Sequence, residues 1–99
     1  MSLSPRQKRH LRGLAHALDP VLLVGRQGAS DAVLAELEAA LEAHELVKIR
    51  VTAEARAERE ARILRLARAS GAELVQRVGH VAVLYRRHRS HPRIVLPEE

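Results

Sequence analysis

The chain has 99 residues, 46% hydrophobic and 29% charged, with a formal net charge of +5. That length encloses one hydrophobic core rather than two, and that composition folds instead of staying disordered. With no Cys there are no disulfides, thiolate metal sites or cysteine nucleophiles, and with Tyr85 as the single residue among Phe, Trp and Tyr there is no aromatic platform for stacking bases.

Ser4-Pro5 opens a first helix, with Ser as N-cap and Pro at the first helical position, where its missing N–H leaves no bond unmade. Leu11, Leu14, Ala15 and Leu18 recur at helical spacing and predict one apolar stripe on a helix reaching about Leu18. Arg6, Lys8, Arg9 and Arg12 fill the rest of it with no acid before Asp19, and the helical wheel sets Arg9, Arg12 and His16 opposite the stripe. Solvated helix faces ordinarily mix signs, so a single-sign face points to phosphate contact.

Asp19-Pro20 breaks this helix, and Val21 to Val24 is wholly apolar, the pattern of a strand buried on both faces. Gly25-Arg26-Gln27-Gly28 follows at once, between a strand and a helix N-terminus, where free N–H groups and the positive dipole end favour phosphate. The glycines allow a tight turn and close approach, and the Arg26 guanidinium can grip phosphate bidentately. An ordinary strand-to-helix turn would need the same glycines. The loop lacks the Lys-Ser/Thr of a nucleotide-binding P-loop and the third glycine of the dinucleotide fingerprint, so nucleotide hydrolysis is not supported.

Ser30-Asp31 opens a second helix whose stripe is Val33, Leu34, Leu37, Ala40 and Leu41, with Glu38, Glu42 and Glu45 expected outside and His44 at the core edge. Leu46 to Val51 alternates, Val47, Ile49 and Val51 against Lys48 and Arg50, which predicts a strand with one wet, basic face. Thr52 is the expected cap of a third helix running to about Ala69, with Ile63, Leu66 and Ala67 inward and a salt-bridged exterior of Glu and Arg. Gly71 suits its left-handed C-terminal position. Leu74 to Val78 and Val81 to Tyr85 read as antiparallel neighbours joined at Gly79-His80. From Arg86 the chain is basic, with Arg87, Arg89 and Arg93 and little apolar content beyond Ile94 to Leu96, and is expected to be a mobile tail.

The order α-β-α-β-α-β-β predicts an α/β fold, a two-layer sandwich of three helices on a four-stranded mixed sheet. Six histidines give no metal spacing, no acid-base pair or nucleophilic triad is assembled, and neither a catalytic site nor a cofactor is expected. No signal peptide or membrane span is expected, and the cytoplasm is the default location.

Gln7-Lys8 through His16, the Val21 to Gly28 strand and loop, Glu36 through Val51 and the Val83-Leu84-Tyr85-Arg86 strand end together resemble the CRM domain family, chloroplast RNA splicing and ribosome maturation, and most closely its single-domain bacterial YhbY-type branch. The resemblance runs from about Leu3 to Arg87. It implies a fold similar to the C-terminal domain of bacterial translation initiation factor three. It also implies RNA binding centred on Gly25, Arg26, Gln27 and Gly28 and supported by Lys8, Arg9, Arg12 and His16. Bacterial members are linked to precursors of the large ribosomal subunit (pre-50S), so the resemblance implies ribosomal RNA as the partner. The loop centre departs from the pattern of some members by carrying one cation instead of two. Residues 1–87 are therefore expected to form the RNA-binding domain, with Arg86 and Arg87 at its border contributing to the basic surface, and residues 88–99 the tail. A monomeric ribosome-assembly factor is the leading expectation. An adaptor meeting ribosomal proteins through the acidic second helix is the alternative, and an RNA hydrolase is a weaker rival.

Overall fold

The computed structural model describes residues 2–99. Its elements are α1 (Pro5–Ala15), β1 (Leu22–Val24), α2 (Asp31–His44), β2 (Leu46–Val51), α3 (Arg56–Ser70), β3 (Glu73–Val78) and β4 (Val81–Tyr85), in the expected order. The strands form one mixed sheet, β1-β2-β4-β3, in which β1 runs parallel to β2 while β4 is antiparallel to both β2 and β3. The α/β fold with three helices and a four-stranded mixed sheet is thus as expected, but its layering is not the two-layer sandwich.

The helices divide between the two faces because every strand presents apolar side chains alternately to both. Val47, Ile49, Val51, Ala82 and Leu84 point to one side, where Leu37 and Leu41 of α2 and Ile63, Leu66 and Ala67 of α3 close the main core. Leu46, Val75, Val83 and Tyr85 point to the other, where Leu11 and Ala15 of α1 cover them. α1 therefore makes a third layer.

Local signals set most element boundaries. Ser4 and Gln7 form a capping box on α1, Ser30 Oγ accepts from Val33 N on α2, and Gly71 closes α3 at φ 72°. Three boundaries differ from expectation. α1 ends at Ala15, because its last turn tightens through Leu18 N to Ala15 O at 3.0 Å and the residue before Pro20 is pushed out of helical geometry. Leu14 and Leu18 stay exposed and line an apolar groove with Val21, His44 and Leu46, so His44 is exposed rather than a core-edge residue. Thr52 does not cap α3: its N–H and hydroxyl both donate to the Val24 carbonyl, extending the β1–β2 pairing, and the helix begins after Ala55 with no side-chain cap. β1 is not buried on both faces: Leu22 and Val24 face the main core and are buried, while Leu23 faces the α1 side, beyond the residues α1 covers, and is 62% exposed.

The largest departure is Glu45. Expected on the exterior, it is fully buried and is the only residue between α2 and β2. The abrupt reversal from helix to strand forces it to φ 62°, ψ −47°, a strained conformation for a residue with a Cβ. Its carboxylate accepts three backbone N–H groups, from His88 at 2.8 Å, Arg93 at 2.7 Å and Ile94 at 2.9 Å. Burial alone would raise its pKa, but these donors, with the charge of Arg93, outweigh burial and hold the carboxyl below its ordinary value. The residues read as a free tail accordingly fold back on the domain. Ile94 and Leu96 pack on the α1-side core, Gln7 donates to Pro97 O at 3.1 Å, and the Arg93 guanidinium donates to the carbonyls of Glu42 and Ala43 at the end of α2. The radius of gyration, 12.8 Å, is that of a compact chain of this length, about 13 Å.

Candidate nucleic-acid interface

The Gly25–Gly28 loop is a closed turn, with Gly28 N donating to Gly25 O at 2.9 Å and Arg26 and Gln27 exposed at its tip. The amides of Arg26 and Gln27 have no protein acceptor among the described residues, so they remain available to an anion. The loop is braced from behind by α3. Arg62 Nη1 donates to Gly25 O at 3.2 Å and to Thr52 O at 2.5 Å while its Nη2 meets Glu58 at 2.5 Å, and Arg65 Nε donates to Ala29 O at 3.2 Å. These two arginines, read from sequence as part of a solvated helix exterior, instead fix the position of the loop. The i,i+4 spacing of Glu58 and Arg62 was visible, but nothing in it pointed to carbonyls more than thirty residues away in the chain.

Gly28 is needed twice over. Its φ is +66°, and a Cβ there would lie 3.0 Å from Arg62 Nε. Gly25 has neither constraint, since a Cβ at that position would meet nothing within 4 Å and its φ is not positive. Gly28→Ala is therefore expected to cost about 1–2 kcal/mol in thermal or chemical unfolding, and Gly25→Ala less than about 0.5 kcal/mol. Equal losses in the two variants would refute this account of the loop.

On α1, Arg9, Arg12 and His16 are exposed and Lys8 is half-buried, and none of the four makes an ion pair among the described residues. Arg86 is placed differently. Its guanidinium donates to Ser70 O at 2.8 Å and Glu38 O at 3.4 Å, tying β4 to the end of α3 and the middle of α2, whereas Arg87 is exposed. The structure does not gather all these residues at one spot. The loop lies at the end of the sheet where β4 begins, Arg86 and Arg87 lie just past its other end, and the five residues of β4 between them span about 17 Å. α1 crosses one face between these limits.

Comparison with known proteins finds the CRS1 / YhbY (CRM) domain over residues 3–86. A Haemophilus influenzae protein named "RNA-binding protein" is 45% identical over 85 residues, 86% of each chain. A Bacillus subtilis protein named "Probable RNA-binding protein YqeI" is 36% identical over 95 residues, covering 96% of this chain and 99% of that one. Among solved structures, the solution structure of a Staphylococcus aureus protein superposes with a TM-score of 0.82 at 33% identity, covering 97% of this chain and 100% of that one. No helix among the described residues is long and apolar enough to cross a membrane.

Proposed function

We infer the function from one premise: the chain belongs to the CRS1 / YhbY (CRM) domain family. It is a non-enzymatic RNA-binding protein that acts as a monomer in the cytoplasm, as an assembly factor on ribosomal RNA of large-subunit precursors. Relatives that carry RNA-binding names over nearly the full length support the RNA partner. The observation that carries the reading is the set of cations held free of acidic partners: Arg9 and Arg12 on α1, and Arg26 at the tip of a loop made rigid from behind. A surface of this kind recognises phosphate backbone and shape. Unpaired guanidiniums and loop amides bind phosphates, while the spacing between loop and helix selects a folded RNA over an extended strand. Lys8 and Arg87 extend the footprint; Arg86 supports it by holding the strand end.

Crosslinking with RNA sequencing on cell lysates tests this, comparing the wild type with an Arg9/Arg12/Arg26 to Ala variant whose fold is checked by circular dichroism. Discrete sites on large-subunit ribosomal RNA that disappear in the variant are expected. Equal crosslinking in both proteins would remove the loop and α1 from the interface. Association with ribosomal particles that survives RNase would favour the protein adaptor instead.

A further inference from the structure

α1 leaves half of its sheet face bare. The residues it covers, Leu46, Val75, Val83 and Tyr85, lie toward the end where β4 finishes, and among the described residues no helix covers the half nearest the Gly25–Gly28 loop. Strand register places Leu23 beside Arg50, Arg50 beside Val81 and Val81 beside Val78, one row across all four strands. Their chain neighbours Leu22, Val24, Ile49, Val51 and Ala82 belong to the opposite core, so alternation turns this row to the α1 side. Leu23 and Val78 are each 62% exposed, and Arg50 is exposed between them. Lys48, two residues before Arg50 on β2, shares the face. Neither cation has an acidic partner among the described residues, and the row contains no acid.

We propose that this bare row is a second RNA-contact surface, which takes unpaired nucleotides as they leave the Gly25–Gly28 loop. The proposal rests on the RNA reading above and adds the kind of RNA. Charge complementarity selects a polyanion, because the row contains no acid and neither Arg50 nor the half-buried Lys48 makes an ion pair among the described residues. Continuity selects the same RNA, because Leu23 lies two residues before Gly25 on the strand that leads into the loop. Its chemistry selects unpaired nucleotides. Leu23, Val78 and Val81 offer flat aliphatic area to bases and riboses, and a guanidinium set among them can stack on a base as well as reach a phosphate. A duplex would turn phosphates and hydroxyls toward those aliphatic side chains and bury none of them.

Two RNAs test it: a blunt hairpin of about 12 base pairs, and the same hairpin with about eight unpaired uridines at its 3′ end. The overhang is expected to tighten binding by the wild type about 10-fold near 0.1 M salt and to steepen the slope of log affinity on log salt by about 1.4, the value for two single-strand phosphate contacts. Lys48→Gln/Arg50→Gln removes this gain, and Leu23→Ser reduces it without changing charge, while both bind the blunt hairpin within about threefold of the wild type. A charge-matched Arg56→Gln/Arg68→Gln variant on α3 keeps the gain. An overhang without effect on the wild type, or a gain retained in both sheet variants, overturns the proposal and leaves the RNA reading standing. Failure of the wild type to bind either hairpin or ribosomal RNA overturns the RNA reading itself. A wild-type dimer dissociated by Leu23→Ser in analytical ultracentrifugation, with no overhang effect, would assign the row to a second copy of the chain and overturn the proposal.

Discussion

Replacing Arg9, Arg12 and Arg26 together by Ala is expected to weaken binding of large-subunit ribosomal RNA on the order of 100-fold near 0.1 M salt. The figure follows from counterion release. Each phosphate neutralised contributes roughly 0.7–0.9 to the slope of log affinity on log salt, so five contacts, from Lys8, Arg9, Arg12, Arg26 and Arg87, give a slope of about −3.5 to −4.5. Removing three leaves about −1.4 to −1.8. The change in slope is the sharper observable, because a folding defect lowers affinity without changing the number of ions released. None of the three side chains makes a hydrogen bond or ion pair within the protein among the described residues, so the variant should unfold within about 0.5 kcal/mol of the wild type. A salt titration in which wild type and variant share one slope would show that these arginines do not touch phosphate.

The largest stability effect is expected at Glu45. Glu45→Gln keeps size and shape but removes the charge that receives three part-buried backbone N–H bonds, and a neutral amide has only one acceptor oxygen for them. The expected loss is about 3 kcal/mol, or a drop in melting temperature on the order of 15 °C for a domain of this size. Hydrogen exchange should rise at residues 88–96 before it rises in the sheet, because the carboxylate is what ties that segment down. The pH dependence has a definite sign. The folded carboxyl sits below its ordinary value, so its contribution is fully present above about pH 4.3, the ordinary value, and is lost as the pH falls through the lower folded value. Glu45→Gln should flatten the acid limb of the stability curve. Glu45→Gly separates the two roles of the residue, since it relieves the positive φ while still losing the anchor; if it proved as stable as the wild type, the carboxylate would not be the anchor.

Much of this protein was legible without coordinates. Element order, the caps at Ser4 and Ser30, the left-handed Gly71, the Gly79-His80 hairpin and the exposed Arg-Gln loop tip all depend on short-range preferences of backbone and side chain, and sequence carries these directly. The α2 stripe was legible because helical periodicity reports which face is buried when a single sheet covers it. The same logic failed on α1, where Leu14 and Leu18 continue the period but extend beyond the residues that the sheet covers.

What sequence could not supply is which distant group answers a given side chain. Local patterns alone establish a basic α/β domain with a glycine-bounded loop between a strand and a helix. Packing in three dimensions is what sets α1 apart as a separate layer, makes Arg62 and Arg65 brace the loop, joins Arg86 to the middle of α2 and the end of α3, and opens the basic wet face of β2 beside that loop. It also decided that Glu45 is an internal anchor rather than a surface acid. The physical reason is common to all of these: a charged side chain is buried or left free according to the carbonyls, amides and helices that pack around it, and those partners come from 36, 37 or 48 residues away, beyond the reach of any local pattern.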